Sequence, residues 1–274
     1  MKVAVLQMVS SHSVDDNLQQ AHALLERAAQ ERVELAVLPE YFCLMGHHDA
    51  DKLALAEPDG HGPLQQFLSR CAREFGLWLV GGTVPLEVPG QQRAFNSCLV
   101  YAPDGQRVAR YDKLHLFRYD NGQEAYDESV HQAPGSSPVH FDLPSQDGHT
   151  WRVGLSVCYD LRFPELYRHY AQAGAHLLLA PSAFTYTTGA DHWELLLRTR
   201  AVENLCFVAA AAQGGMHSNH RRTWGHAMVV DPWGKVLAQR PQDPGVVRAD
   251  LDWNALQTYR NRLPALNHRV LCAA

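Results

Sequence analysis

Three side chains in this sequence could together attack a carbonyl group, and the first of them is a thiol. Cys158 ends the apolar segment 151–157 and is soon followed by Pro164, a residue favoured in the first turn of a helix. The pattern predicts a strand, a turn at Cys158 and a helix. A helix N-terminus lowers the pKa of a nearby thiol through its free N–H groups and dipole. Cys158 is therefore a candidate nucleophile, although a buried core cysteine would give the same pattern.

The other two side chains are a carboxylate and an amine. A nucleophilic cysteine needs a base for its proton and a donor for the oxyanion formed on the attacked carbonyl. Glu40 follows the apolar segment 34–38, and such loop positions of α/β folds commonly meet the active site. Lys113 lies among apolar and aromatic neighbours in the segment 111–117. Taken alone, each of these charges could equally form an ordinary surface ion pair.

The elements that must position these residues alternate between strands and helices. Apolar runs predict strands at about 2–8, 34–38, 77–84, 95–101, 151–157, 176–180, 206–212 and 226–230. Helical spacing of apolar residues predicts helices at 15–31, 63–75, 164–173 and 190–204. Turn residues at 103–105 and 231–234 indicate hairpins. Two packed sheets flanked by helices fit this pattern better than one parallel sheet, but periodicity alone leaves both open.

Composition limits the class of protein. The chain has 274 residues, 46% hydrophobic and 19% charged, with no linker or repeat, which predicts one globular domain over residues 1–274. The net charge of -5 argues against a nucleic-acid partner. The apolar start is too short for a membrane span or signal segment, so we expect a buried first strand and no membrane association.

Cysteine usage points to a reducing compartment. No CxxC or zinc-ribbon spacing occurs, so free thiols in the cytoplasm are expected. Most of these thiols should be small core residues. The six cysteines are Cys43, Cys71, Cys98, Cys158, Cys206 and Cys272.

Taken together, the three motifs resemble the nitrilase-like carbon–nitrogen hydrolase superfamily. In order along the chain, Glu40 follows a Leu-Pro pair, Lys113 begins KLHLF, and Cys158 lies in VCYDLRFPE. The likeness continues over nearly the whole chain, through 181–184 (PSAF), 192–194 (HWE), 198–204 (RTRAVEN) and 225–234 (GHAMVVDPWG). It implies an α/β fold, the four-layer α-β-β-α sandwich, assembled as a homodimer or higher homo-oligomer.

The resemblance also implies roles for the candidate residues. Cys158 would be the nucleophile, Glu40 the general base, and Lys113 the donor that stabilises the oxyanion. The backbone N–H of Tyr159 would be the second oxyanion donor. The amide would be cleaved through a thioester, without a metal or organic cofactor.

A second glutamate of the superfamily orients the lysine and the incoming substrate. It matches Glu128 in the segment 126–129 (YDES), and Glu124 lies close by as an alternative. The resemblance therefore favours Glu128.

The residues beside the nucleophile indicate a branch of the superfamily. Cys158-Tyr159-Asp160 differs from the Cys-Trp-Glu of true nitrilases, which favours a hydrolase acting on non-peptide carbon–nitrogen bonds in linear amides. The segments 158–166, 181–184, 188–194 and 210–217 most resemble the deaminated-glutathione amidases, which separate a 2-oxoglutaryl group from cysteinylglycine. The related omega-amidases release ammonia from 2-oxoglutaramate. A small acidic amide is the expected substrate in either case.

An acidic substrate requires a cation in its pocket. Arg162 is the candidate for a bidentate contact with a substrate carboxylate, and pairing with Glu165 or Asp160 is its alternative. Phe184 is expected to line the pocket, although core packing would suit it equally.

Two further segments have no assigned role. His217, His220, Arg221 and Arg222 could contact a glycine carboxylate, but a solvated loop is the stronger expectation for them. The segment 119–123 (YDNGQ) contains a glycine that would permit a mobile lid.

Three rival interpretations remain. The 16 histidines include 46–49 (GHHD) and 217–220 (HSNH), which look like metal ligands but lack an HExxH pattern. A Cys-His hydrolase would use His115 or His226 as its base, and replacing Glu40 by Gln would then spare the rate. A non-catalytic binding protein would show neither turnover nor alkylation of its cysteine.

Overall fold

The computed structural model describes residues 1–271, so Cys272 lies outside the described residues. The helices are α1 (Val14–Gln30), α2 (Pro63–Phe75), α3 (Pro164–Gln172), α4 (Tyr186–Asn204) and α5 (Trp253–Arg262). The strands up to the middle of the chain are β1 (Lys2–Met8), β2 (Leu35–Val37), β3 (Trp78–Val80), β4 (Val84–Glu87), β5 (Ala94–Tyr101), β6 (Arg107–Asp112), β7 (Arg118–Asp120), β8 (Ala125–Asp127) and β9 (Gln132–Ala133). The later strands are β10 (His140–Pro144), β11 (Thr150–Leu155), β12 (Leu177–Leu179), β13 (Phe207–Ala210), β14 (Ala212–Met216), β15 (Arg222–Trp224), β16 (Ala227–Val230), β17 (Val236–Arg240) and β18 (Gly245–Asp250).

The strands form two large sheets. The first has the order β15-β14-β1-β2-β3-β5-β4, with β18 paired to β1 and with β6 and β9 paired to β5. The second has the order β10-β11-β12-β13-β16-β17. Strand β1 is parallel to β2 and antiparallel to β18, so the sheet is mixed. The antiparallel pairs include β5–β6 and β16–β17, where the turn residues predicted hairpins.

Alternation along β1 shows how the first sheet is buried on both faces. Val3 and Val5 belong to the apolar core shared with the second sheet. Ala4 and Leu6 belong to the core that contains the apolar faces of α1 and α2. The first sheet therefore separates α1 and α2 from the second sheet.

The outer face of the second sheet is covered by α3 and α4. Tyr170 of α3 packs so closely over Gly154 of β11 that a Cβ atom there would collide with its ring. Trp193 and Leu197 of α4 are fully buried in the same core. The layers run α-β-β-α, which confirms the predicted fold.

Most predicted segments are present, but two predicted strands are each two strands. The segment 77–84 contains β3 and the start of β4, which are separated at Gly81 and Gly82. Gly82 has a φ of +54°, and a Cβ atom there would collide with the carbonyl oxygen of Pro39. The segment 206–212 likewise holds β13 and the start of β14, which pair in different sheets.

Helix α4 begins at Tyr186, earlier than the apolar spacing predicts. Within residues 1–271, no helix is long and apolar enough to cross a membrane. A single domain over the whole chain stays a prediction.

Candidate active site

Cys158 lies at the turn between β11 and α3, as the sequence predicts. Its backbone has a φ of +50°, a left-handed conformation that costs free energy in a non-glycine residue. The turn is held because the Cys158 N–H donates to the carbonyl oxygen of Pro181 at 3.0 Å. The side chain is 9% exposed and borders a pocket. The strained turn, fixed by this hydrogen bond, therefore places the Cys158 thiol at the pocket.

Glu40 lies beyond the end of β2 and is 1% exposed. One carboxylate oxygen accepts from Asn96 Nδ2 at 2.8 Å and from Lys113 Nζ at 3.0 Å. The other accepts from the N–H of Ala183 at 3.0 Å. Both oxygens are thus fixed beside the pocket that Cys158 enters.

Lys113 is 1% exposed and bonds two glutamates at once. Its Nζ lies 3.0 Å from Glu40 Oε1 and 2.9 and 2.8 Å from the two carboxylate oxygens of Glu128. Glu124 is exposed and its carboxylate accepts a long bond from Thr187. Of Glu128 and Glu124, Glu128 is the one that contacts Lys113.

The pKa values in this cluster follow from burial and charge. Burial raises the pKa of Cys158 well above its ordinary value, and the neighbouring Glu40 carboxylate raises it further. The expectation that the turn lowers the pKa of this thiol is therefore wrong, because burial and the nearby carboxylates outweigh Lys113. Burial opposes the charge of Lys113, but Glu128 and Glu40 raise its pKa overall. Burial likewise opposes the charge of Glu128, whose pKa is lowered by Lys113.

The resting protonation states follow directly. Lys113 is a cation and Glu128 an anion, whereas Cys158 holds its proton as a neutral thiol. A neutral thiol beside a carboxylate can transfer its proton when it attacks an electrophile.

Tyr159 is the second residue of the 3₁₀ turn Cys158–Arg162. The first backbone bond of that turn is donated by the next residue, Asp160, to the carbonyl oxygen of Val157 at 3.1 Å. N–H groups in a first turn have no partner inside the helix. The N–H of Tyr159 is in this position, where an oxyanion could accept from it.

Asp160 connects the cysteine turn to the lysine segment. Its buried carboxylate accepts from the N–H of Val157 at 2.8 Å and from the hydroxyl of Tyr111 at 2.6 Å. It also accepts from the N–H of His115 at 3.0 Å. Tyr111 and His115 flank Lys113, so one carboxylate fixes two of the catalytic candidates relative to each other.

The pocket at Cys158 has a volume of about 20 Å³, and Tyr159, Arg162, Phe184 and Arg221 are among its other lining residues. A larger surface cavity of about 960 Å³ lies at α2, and none of the candidate residues borders it. A large cavity is the usual first choice for a site. Here Glu40, Glu128 and Cys158 all border the smaller pocket, so the candidate active site lies there and not in the cavity at α2.

Arg162 borders the pocket and has no carboxylate partner in the part of the chain that the structure describes. Its Nη2 lies 3.2 Å from His192 Nδ1, and its guanidinium lies 5.7 Å from the centre of the Phe184 ring. The alternative pairing with Glu165 or Asp160 is therefore not formed. Phe184 both lines the pocket and packs on a buried tryptophan, so its two predicted roles coexist.

The expected solvated loop at 217–222 is wrong for two of its four residues. His217 is 2% exposed, bonds Ser10 O at 2.8 Å, and has its pKa lowered to about 4 by burial. The side chain of Arg221 is 14% exposed and borders the Cys158 pocket. His220 and Arg222 are exposed, as expected. His217 is buried against the segment that follows β1, whereas Arg221 is buried beside Tyr126 at the pocket.

The segment 119–123 contains the end of β7 and most of the turn that connects β7 to β8. Gly122 has a φ of +81° there, which explains the glycine. The hairpin contributes Tyr126, whose ring packs 5.8 Å from that of Phe117 at the pocket. The segment thus lies near the site, and its mobility stays a prediction.

The rival bases lie elsewhere. His115 Nδ1 bonds Asp160 at 2.7 Å and its ring stacks on Phe163, whereas the ring of His226 stacks on Trp224. Neither histidine borders the Cys158 pocket. Among residues 1–271, no group of three or more histidine, cysteine or acidic side chains is placed to hold a metal ion.

Some residues at this site were missed from the sequence. Asn96 bonds Glu40, and the hydroxyl of Tyr41 donates to Glu128 at 2.9 Å. A polar residue inside an apolar strand was the available signal for Asn96, because buried polar groups need partners. Tyr41 gave no such signal.

Comparisons with known proteins agree with this geometry. The family model for carbon-nitrogen hydrolases matches residues 2–261. The deaminated glutathione amidase of Synechocystis is 39% identical over 270 residues, covering 97% of each chain. Human omega-amidase NIT2 is 37% identical over 269 residues, covering 98% of this chain and 94% of that protein. The crystal structure of C. elegans NitFhit is 38% identical with a TM-score of 0.89, covering 98% of this chain and 65% of the NitFhit chain.

The chain belongs to the carbon-nitrogen hydrolase family. Within it, the chain is an amidase, a hydrolase of non-peptide carbon–nitrogen bonds in linear amides.

Proposed function

We propose that this amidase hydrolyses deaminated glutathione to 2-oxoglutarate and cysteinylglycine, with Cys158 as its nucleophile. The observation that carries the mechanism is the buried ion pair of Lys113 and Glu40, 3.0 Å apart, at the pocket that contains the Cys158 thiol. The substrate is supported by the relatives named deaminated glutathione amidase.

In the first half of the reaction, Cys158 Sγ attacks the amide carbon and its proton passes to Glu40. The carbonyl oxygen becomes an oxyanion, stabilised by Lys113 Nζ and the N–H of Tyr159. The C–N bond then breaks as protonated Glu40 gives its proton to the leaving nitrogen. The products of this half are the free amine and a thioester on Cys158.

In the second half, Glu40 removes a proton from water, which attacks the thioester carbon. The same two donors stabilise the second oxyanion. The C–S bond breaks, the acid is released, and the proton on Glu40 returns to the thiolate. Glu128 holds Lys113 in position throughout, and no step requires a metal or organic cofactor.

Arg162 and Phe184 are proposed to bind the acyl part of the substrate. The guanidinium has no carboxylate partner in the described structure, and its Nη2 lies 3.2 Å from His192 Nδ1, so its other donors are free for the carboxylate of the 2-oxoglutaryl group. The aromatic wall beside it would exclude water from the chain of methylene groups.

The test is release of 2-oxoglutarate from deaminated glutathione and from 2-oxoglutaramate, with Cys158→Ala as the control. We expect faster release from deaminated glutathione and none in the variant. Faster cleavage of 2-oxoglutaramate would make the chain an omega-amidase, the second candidate, which the similarity to NIT2 favours. Release from neither substrate would contradict both and direct the search to other small amides. Absence of any turnover would support a binding protein.

We also propose a homodimer or higher homo-oligomer in the cytoplasm. Leu195 and Val202 of α4 and Trp233 of the turn between β16 and β17 are 65%, 47% and 52% exposed and border one surface cavity. Such an apolar patch is typical of a contact surface. The free, buried cysteines suit a reducing compartment. Sedimentation of the purified protein and cell fractionation test these two statements, and a monomer or an exported protein would contradict them.

A further inference from the structure

A second pocket adjoins the Cys158 pocket, and Arg221 borders both. It has a volume of about 270 Å³ and is also bordered by Gly46, Asp49, Lys52 and Tyr126. The Cys158 pocket alone, at about 20 Å³, is far smaller than the roughly 300 Å³ at which ligand pockets begin. The second pocket therefore offers the nearest room for a substrate group beyond the reacting amide.

Arg221 has unused donor capacity at this junction. Its Nε is buried and has no hydrogen-bond partner among residues 1–271. The nearest acid is Asp49, 4.0 Å from Nη1, which is too long for a hydrogen bond. A guanidinium has five N–H donors in a fixed fork that matches a carboxylate. A buried donor without a partner is costly unless a ligand satisfies it.

Hydrogen bonds fix the loop backbone around Arg221, and an aromatic ring contacts its guanidinium. The N–H of His217 donates to the Arg221 carbonyl at 2.9 Å, and Asn219 Nδ2 donates to the carbonyl of Gly46. The guanidinium itself lies 5.0 Å from the centre of the Tyr126 ring, a cation–π contact. A side chain anchored in this way loses little conformational entropy when a ligand binds.

The charges of the second pocket suit an anion. Lys52 and Arg221 are cations, and Asp49 is the one acid among the residues that border it. Asp49 bonds Lys52 at 3.1 Å, so its charge is offset by that lysine. The guanidinium of Arg221 is the cation left for a ligand.

We propose that the second pocket is a subsite for the leaving amine and that Arg221 binds a carboxylate on that amine. This inference rests on the proposed function and makes it more specific. Arg162 would bind the carboxylate of the acyl part, and Arg221 would bind the carboxylate of cysteinylglycine. An amide that releases only ammonia has nothing to place in this subsite, so the site selects for a substrate with a carboxylate at each end.

The test is a substrate cycle with Arg221→Met and two substrates, deaminated glutathione and its C-terminal carboxamide. In the wild type we expect the acid to be cleaved with roughly 10- to 100-fold higher kcat/KM, the size of a charge-assisted bidentate contact. In Arg221→Met the acid should lose that advantage, and the two substrates should become nearly equal. Arg221→Lys should retain part of the preference because it keeps the charge but not the fork.

Arg222→Met is the matched control, because the neighbouring guanidinium is exposed and lies over the Tyr186 ring at 3.5 Å. It should leave the ratio of the two substrates unchanged. An equal loss for both substrates in Arg221→Met would show a structural role and overturn the proposal. So would a wild type that does not distinguish acid from carboxamide.

Direct binding separates failure of this inference from failure of the proposed function. Calorimetry should show that cysteinylglycine binds the wild type more tightly than its carboxamide does, and that Arg221→Met removes the difference. This holds even if neither test substrate is hydrolysed, which would overturn the proposed function alone. Equal binding of the two dipeptides to the wild type would overturn the subsite.

Discussion

Charged side chains are paired in the inner part of this site, whereas the cations in its outer part have no carboxylate within hydrogen-bond distance in the described structure. In the inner part, Lys113 and Glu40 are each 1% exposed, and Lys113 Nζ donates to Glu40 Oε1 at 3.0 Å. In the outer part, Arg162 and Arg221 border the same pocket, and neither lies within hydrogen-bond distance of a carboxylate in the described structure. The inner charges are paired with each other, whereas the outer cations are left for a ligand.

Substitutions in the inner and outer parts should affect different measured properties. Breaking an inner pair leaves a buried charge without a partner, so both rate and stability should fall. Removing an outer cation leaves no such charge, so affinity for acidic substrates should fall while the fold is kept. Four predictions test this division, beginning with the largest expected effect.

Glu40→Gln should lower kcat by roughly 10²- to 10⁴-fold, the usual contribution of a general acid–base. Glutamine keeps the shape of the side chain but cannot carry a proton between sulfur, nitrogen and water. Glu124→Gln is the control, since that exposed carboxylate lies outside the inner cluster and should leave the rate unchanged. If Glu40→Gln kept the wild-type kcat, Glu40 would not be the general base, and a mechanism with a histidine as the base would be supported.

Lys113→Met should lower kcat by roughly 10²- to 10³-fold through loss of an oxyanion donor. It should also lower the free energy of unfolding by about 3–5 kcal/mol, because Glu40 and Glu128 lose their shared cation inside the protein. Urea denaturation measures the stability, with the exposed Lys235→Met as control. A variant as stable as the wild type would contradict the view that this pair is structurally integral.

Alkylation of Cys158 by iodoacetamide should accelerate about tenfold per pH unit between pH 6 and 9, because only the thiolate reacts. The sign follows from the raised pKa of this thiol, which is neutral throughout that range. Cys158→Ser identifies the modified site by mass. Cys98 also has a raised pKa, but it is fully buried and should stay unmodified in the folded protein. A flat rate across this range would show a thiolate already formed at rest.

Arg162→Met should raise the KM for 2-oxoglutaramate by roughly tenfold with a smaller change in kcat, as loss of one charged contact would. The unfolding free energy should stay within about 0.5 kcal/mol of the wild type, as for most surface changes. Arg248→Met, an exposed arginine paired with Asp250, serves as control. A large loss of stability would place Arg162 with the inner part instead.

Local sequence patterns predict much of the fold because the spacing of apolar residues follows the geometry of each strand and helix. The strand at 2–8 and the helices at 15–31 and 63–75 agree with β1, α1 and α2 to within one residue at each end. Alternation and helical spacing decide which face of each element is buried. The two-sheet arrangement needed the resemblance as well, since periodicity left a single sheet open.

The sequence by itself brought forward Glu40, Lys113 and Cys158, because each stands at a strand end or in an apolar segment where a reactive group is unusual. The folded structure was needed to choose between Glu128 and Glu124, because the choice depends on which carboxylate reaches Lys113. It also reversed the expected shift in the pKa of Cys158. A helix terminus is visible in sequence, but burial and neighbouring charge are summed over residues far apart in the chain. The sequence places Arg221 in a solvated loop for the same reason: its neighbours along the chain are polar, and only folding buries it at the pocket.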